Sequence, residues 1–197
     1  MIITVASFKG GVGKTTTAIH LAGYLQAKDE TLLIDGDPNR SATGWAKRGS
    51  LPFKVIDERQ AAKFAKNYEH IVIDTQARPE QEDLEALVEG CDLLILPTTP
   101  DALSLDALMQ TVDVLKSLGA NQYRILITRV PSKPRRDGEE AREMLTEAGL
   151  PLFKGHIRDA VAFQKAALSG VLVDQITDSR AKIAGRDYQQ ICQEVMK

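Results

Sequence analysis

The residues able to do chemistry begin at position 8. Phe8-Lys9-Gly10-Gly11-Val12-Gly13-Lys14-Thr15-Thr16 follows a short apolar run, Ile2–Ser7, and leads into a stretch of helical spacing, Thr15–Ala27. Gly10, Gly11 and Gly13 let the backbone take conformations that other residues resist, so consecutive N–H groups can turn toward one anion. A helix that begins near Lys14 adds the positive end of its dipole. Lys14 is then placed to reach terminal phosphates, and the Thr15 hydroxyl to take a position on Mg²⁺. The ordinary form of such a loop, G-x-x-x-x-G-K-[ST], would put its first glycine at residue 8, which here is Phe8. Lys9 instead brings a second cation into the loop, a device suited to charge that develops during phosphoryl transfer.

Two further segments carry carboxylates at the ends of apolar runs. Leu32-Leu33-Ile34-Asp35-Gly36-Asp37-Pro38-Asn39 places two of them just past a strand, facing the glycine loop from a neighbouring strand, although Asp-Gly-Asp-Pro alone is also a plain turn. Ile71-Val72-Ile73-Asp74 ends in an aspartate suited to holding Mg²⁺ through water. To position these groups the chain must alternate strands and helices. Ile2–Ser7, Thr31–Asp35, Phe53–Ile56, His70–Asp74, Leu93–Pro97 and Tyr123–Arg129 are nearly continuous apolar runs, as in strands covered on both faces. Thr15–Ala27, Glu80–Glu89, Ser104–Leu118 and Gly138–Ala148 have helical spacing. Asp101 or Ser104 is placed to cap the third, and Gly119 and Gly149 to stop the third and fourth. The pattern predicts a doubly wound α/β fold with a mostly parallel sheet flanked by helices, and ligands at the carboxyl ends of its strands.

The 197 residues are 43% hydrophobic, 26% charged and 5% aromatic, with a formal net charge of -2, which suits one globular domain over 1–197. No run of about 18 apolar residues is present, so no membrane span is expected, and with no basic-then-apolar signal or small-residue cleavage site the N-terminus is expected to open directly as structure. Cys91 and Cys192 are too few and too far apart for a disulfide framework and read as buried small hydrophobes. Charge is uneven: residues 1–120 hold 12 basic and 17 acidic side chains, and residues 121–197 hold 13 and 10. Arg124, Arg129, Lys133, Arg135 and Arg136 crowd together, followed by Lys154, Arg158 and Lys165. Arg180–Lys197 reads as a final helix packing through Ile183, Tyr188, Ile191, Cys192 and Val195. Its polar face is not a basic stripe, so membrane anchoring is not expected.

Lys9–Thr16 resembles the deviant Walker A motif, KGGxGKT[ST], of the ParA/MinD ATPases, and the resemblance extends over essentially the whole chain. It implies a P-loop NTPase that uses ATP and Mg²⁺. By the same resemblance Gly10 through Thr16 bind nucleotide, Lys9 and Lys14 act on it, and Lys9 reaches the partner's ATP across a homodimer. Asp35 supports the Mg²⁺ shell with Thr15 and Asp74, and Asp37 positions the attacking water. Asn39 stands where glutamine is usual. Where the family often continues Asp-Thr-Pro-Pro, Asp74 is followed by Thr75-Gln76-Ala77-Arg78-Pro79, in a loop that senses the γ-phosphate, Arg78 being a phosphate contact or a solvated loop residue. Leu93–Pro100 resembles the strand end near the dimer interface, and Thr128 and Arg129 would border the adenine. Lys133, Arg135, Arg136, Lys154, Arg158 and Lys165 would meet DNA without sequence preference. The short chain resembles the small ParA class, which partitions plasmids or positions protein bodies on the nucleoid, in the cytoplasm, with an adaptor of the ParB, ParG or McdB kind. A small-molecule kinase or ligase, an iron–sulfur reductase, and a binding module without turnover remain alternatives on the same scaffold.

Overall fold

The computed structural model describes residues 1–78 and 81–197, so Pro79 and Glu80, the expected end of the sensing loop and start of the second helix, lie outside the described residues. Six parallel strands, β1 (Ile2–Ser7), β2 (Thr31–Gly36), β3 (Lys54–Asp57), β4 (His70–Ala77), β5 (Leu93–Thr98) and β6 (Tyr123–Ile127), form one sheet in the order β3-β2-β4-β1-β5-β6. Its helices are α1 (Lys14–Gln26), α2 (Ser41–Arg48), α3 (Ala61–Phe64), α4 (Gln81–Glu89), α5 (Ala102–Ser117), α6 (Asp137–Glu147), α7 (Val161–Ser169) and α8 (Ser179–Val195). The doubly wound α/β class expected of the sequence is the one observed.

Strand alternation divides the apolar residues between two layers. Ile3, Val5, Leu33, Val72, Ile95 and Leu126 face the helices α1, α7 and α8. On the other face Ala6, Leu94, Leu96, Ile125 and Ile127 pack under α4, α5 and α6, and Leu32, Ile34, Ile56 and Ile71 under the α3 region. Topology then supplies the site. β4 enters the sheet between β1 and β2, so the loops after β1 and β2 flank the end of β4. In register, Asp35 lies opposite Asp74, and Val5 lies opposite Asp74 on the other side.

Asp101 caps α5 by accepting from the Ser104 amide, and Gly119 and Gly149, at φ 68° and 70°, follow the ends of α5 and α6. Both cysteines are buried and unpaired. The short helices α2 and α7, like the single-turn α3, lack a long periodic signal and are not expected from the sequence. They meet backbone to backbone: a Cβ on Gly170 would lie 2.1 Å from the Gly49 nitrogen, so only glycine lets the two helix ends touch. β6 stops at Ile127, earlier than expected, because Arg129 turns at φ 50°. In α8, Ala181 and Ala184 take the inward positions beside Tyr188, Ile191 and Cys192, while Ile183, expected to pack, is 42% exposed. Among the described residues no helix is long and apolar enough to cross a membrane.

His20, on the first turns of α1, joins this layer to the site. Its Nδ1–H donates to the Thr16 carbonyl (2.7 Å), and its Nε2 accepts from the Val173 amide (3.0 Å). That donor on Nε2 assigns the tautomer. The ring stacks on Tyr188 and meets Trp45 and Phe163 edge-on. Complete burial lowers its pKa to about 4, against the opposing hydrogen bond to Thr16.

Candidate nucleotide-binding site

The loop after β1 turns through Gly11 (φ 80°) and Gly13 (φ 90°), left-handed conformations that favour glycine. Gly13 stands at the N-cap of α1 and no side chain caps that end, so the first-turn amides keep their hydrogens for an anion. Thr128 ties the loop down, its hydroxyl donating to the Val12 carbonyl at 2.7 Å. Thr17, one turn into α1, donates its amide to the Gly13 carbonyl (2.9 Å).

Lys14 is buried, and burial lowers its pKa against the pull of Asp74 and Asp37. The Thr15 hydroxyl donates to Asp74 Oδ2 at 2.7 Å. Asp74 is fully buried, and burial pushes its pKa up to about 7, opposed by the Thr15 hydrogen bond and assisted by Asp35. Its second oxygen, Oδ1, is buried with no hydrogen-bond partner among the described residues. A buried carboxylate with an orphan oxygen, a threonine hydroxyl beside it and a nearby anion cradle form a donor set that fits Mg²⁺.

The Asp35–Thr43 segment is built as a clasp. Asp35 Oδ2 accepts from the Thr43 amide (2.8 Å) and hydroxyl (2.6 Å) at the start of α2, and Oδ1 from the Asp37 amide (3.3 Å). In return Arg40, in the left-handed region at φ 53°, donates to the Asp35 carbonyl (2.6 Å) and pairs with Asp57 at the end of β3 (2.9 Å). Inside the clasp Asp37 Oδ1 accepts from both the amide and the side-chain nitrogen of Asn39, each at 2.9 Å. Asn39 therefore orients Asp37. The carboxylate of Asp35 is occupied by protein donors, so it acts on the site through the loop it holds. Arg40 and Thr43 were not singled out from sequence; their signal was only a polar run after Asp-Pro.

Lys9 does not point at the phosphate cradle. Its ammonium bonds Asp101 Oδ1 (2.9 Å) and Ser104 Oγ (2.8 Å) on the cap of α5. Asp101 is partly desolvated, yet hydrogen bonds from Thr99, Ser104 and Lys9 hold its carboxyl well below the usual range. Beside it runs a groove of about 520 Å³ lined by Phe8, Lys9, Arg78, Leu103, Ala107 and Gln110. Arg78 is exposed at φ 56°. On the opposite side Arg129 approaches the Gly11 carbonyl (3.5 Å) and Asp159 (3.8 Å), bordering the loop with Thr128. Of the C-terminal cations, Arg135 pairs with Asp137, Arg136 with Glu139, Arg158 with Asp187 through two hydrogen bonds, and Lys165 with Asp178 at 4.0 Å. Lys133 and Lys154 have no such partner among the described residues.

A family model described as the CobQ/CobB/MinD/ParA nucleotide binding domain matches residues 3–173. A protein from Gloeobacter kilaueensis named for maintenance of carboxysome distribution is 36% identical, over 98% of this chain and 93% of its own length. Among solved structures, a McdA variant from Cyanothece in complex with ATP superposes with a TM-score of 0.78 at 18% identity, covering 99% of this chain and 95% of that one. A putative plasmid partition protein from Borrelia burgdorferi bound to AMPPNP gives 0.76 at 21%, covering 99% and 98%. The phosphate loop, the paired strand-end aspartates and these likenesses agree: the chain belongs to the MinD/ParA family of nucleotide-binding domains.

Proposed function

We propose that this protein is an ATPase that closes into a homodimer on ATP, binds nucleoid DNA without sequence preference, and positions a cargo whose adaptor stimulates hydrolysis. The observation that carries this reading is the surplus lysine. Lys14 alone suits one triphosphate, so Lys9, held at the edge of the site on Asp101, is suited to a nucleotide presented by a second protomer. The kinship to a protein named for carboxysome distribution favours a protein body as cargo, and a plasmid is the other class that relatives' names supply.

In this reading the amides of Gly10–Thr16 and the start of α1 bind the phosphates, and Lys14 neutralises their terminal charge. Thr15 and Asp74 would hold Mg²⁺, with Asp35 supporting that shell from behind; when bound, the ion would neutralise phosphate charge. Asp37, oriented by Asn39, positions the attacking water. Thr128 and Arg129 flank the adenine. Lys9 must leave Asp101 to reach across the dimer. That ion pair is partly exposed (31% and 53%), so its loss costs on the order of 1 kcal/mol or less, within reach of ATP binding. Lys133, Arg135, Arg136, Lys154, Arg158 and Lys165 would contact DNA. The protein would act in the cytoplasm, on the nucleoid.

The test is light scattering and duplex-DNA binding of the purified protein with ATP, ADP and no nucleotide. A dimer and DNA complex that form only with ATP support the reading. A monomer under all three conditions overturns it.

A further inference from the structure

The first 120 residues are acidic overall, yet their basic side chains are concentrated in one place. Arg40–Lys66 carries seven basic and two acidic side chains, and the rest of residues 1–120 carries five and fifteen. Both acidic groups of the segment, Asp57 and Glu58, face Arg40, at 2.9 and 3.8 Å. The other six cations have no carboxylate partner among the described residues. Lys47, Lys54, Lys63 and Lys66 are all exposed. They gather around β3, an edge strand of the sheet: Lys54 opens it, Lys47 lies in the last turn of α2, which packs against it, and Lys63 and Lys66 follow in α3 and the next turn. The ammonium groups of Lys54 and Lys63 share the Phe64 ring, at 3.4 and 5.2 Å from its centre.

Local structure explains part of this. Lys47 complements the dipole at the end of α2, and a lysine on an edge strand discourages pairing with another chain. Neither reason covers Lys63 and Lys66, which sit on a four-residue helix and a single turn. The chemistry of the patch also narrows its partner. Its arginine forks are partly spent, Arg40 on Asp57 and the Asp35 carbonyl and Arg48 on the Ala167 carbonyl. The remaining lysines are point charges on flexible stems. No large exposed hydrophobic side chain lies in this segment to anchor a protein interface; those on the surface are Leu103, Met144, Val161, Leu168, Ile183 and Met196. Free point charges without anchors suit a regular array of phosphates, read by charge alone.

We infer that the β3 edge, through Lys47, Lys54, Lys63 and Lys66, is a docking surface for the phosphate backbone of duplex DNA. The inference rests on the proposed DNA-binding function and moves its main contacts from the C-terminal cations, four of which are already neutralised by ion pairs, to an edge where the charges are free. ATP-driven dimerisation would present two such edges to one polymer.

The experiment compares three forms of the full chain with MgATP: the parent, the triple variant Lys54→Gln/Lys63→Gln/Lys66→Gln, and the triple variant Lys133→Gln/Arg135→Gln/Arg136→Gln. Anisotropy of a random-sequence duplex is followed across salt. Each phosphate contact contributes about 0.9 to the slope of log K against log salt, so the edge variant is expected to lower the slope by roughly 2 to 3 per protomer and the affinity by at least about tenfold. The loop variant is expected to lose less. Lys54→Arg/Lys63→Arg/Lys66→Arg keeps the charge and is expected to bind like the parent; loss there would mean a structural rather than an electrostatic role and would overturn the inference. Parental affinity and slope in the glutamine edge variant, with the parent binding DNA, overturn the surface and leave the DNA function standing. A parent that binds no duplex overturns both. Edge-dependent binding of poly-glutamate with unchanged DNA binding assigns the patch to an acidic protein and also overturns it.

Discussion

His20→Gln probes how the C-terminal layer is fastened behind the phosphate loop. The native ring is neutral because any second proton would sit on Nε2, where the Val173 amide already donates, in a fully buried site. In the unfolded chain its pKa is the ordinary 6.5, against about 4 in the fold. The folded value is depressed, so the unfolded chain takes the proton first. The contribution of His20 to stability is complete above pH 6.5 and is lost as pH falls from there through about 4. At 1.36 kcal/mol per unit, the whole shift corresponds to about 3 kcal/mol, and at pH 5 about 2 kcal/mol of it has gone. Asp74 works in the opposite sense. Its pKa is raised from 3.8 to about 7, so the nucleotide-free fold gains stability as pH falls through that window. The parent alone would thus show a shallow profile, and the difference between parent and variant cancels the Asp74 contribution. The assay is urea unfolding in EDTA without nucleotide, followed by the fluorescence of Trp45, the only tryptophan, whose ring centre is 5.8 Å from that of His20. At pH 8 the variant is expected to be less stable by about 2 kcal/mol or more, from lost hydrogen bonds and packing. At pH 5 that gap is expected to shrink by about 2 kcal/mol. A gap constant from pH 8 to pH 5 would refute the reasoning.

Three further outcomes follow from the site. Asp74→Asn removes a buried charge worth about 4 kcal/mol at pH 8 and leaves an amide unpaired at a cost of about 1–3 kcal/mol, so the nucleotide-free protein is expected to gain about 2 kcal/mol at pH 8 and none at pH 5. In thermal shift assays the same variant is expected to lose the stabilisation that MgATP gives the parent. Asp37→Ala should keep ATP binding and accumulate the dimer on DNA, with phosphate release reduced by at least about tenfold; hydrolysis at the parental rate would remove Asp37 from the water-positioning role. Lys9→Ala should leave nucleotide affinity of the monomer within about threefold and abolish the ATP-dependent dimer seen by light scattering, since its ammonium contacts α5 and not the cradle. Equal loss of both would contradict a role in trans.

Much of this protein was legible from its residues because the relevant interactions are local. The glycines at 11 and 13, Lys14, Thr15 and the continuous apolar strands act within a few positions of one another, and their period and order imply the doubly wound sheet. That apolar strands carry Asp35 and Asp74 near their ends was foreseeable for the same reason, but the sequence set β2 beside β1, and only the sheet order, with β4 between them, puts the two aspartates opposite each other. The short helices α2 and α7 were not, since eight or nine residues hold too few turns for a periodic signal. Other properties exist only once distant segments meet. Lys9 rests on a residue 92 positions away, His20 is neutral because Val173 arrives 153 positions later, and Arg40 gains its fork from Asp57 on another strand. Charge shows the division most plainly. A sequence only counts cations; tertiary structure decides which of them already face a carboxylate, and among the described residues it leaves the lysines around β3, like Lys133 and Lys154, without one.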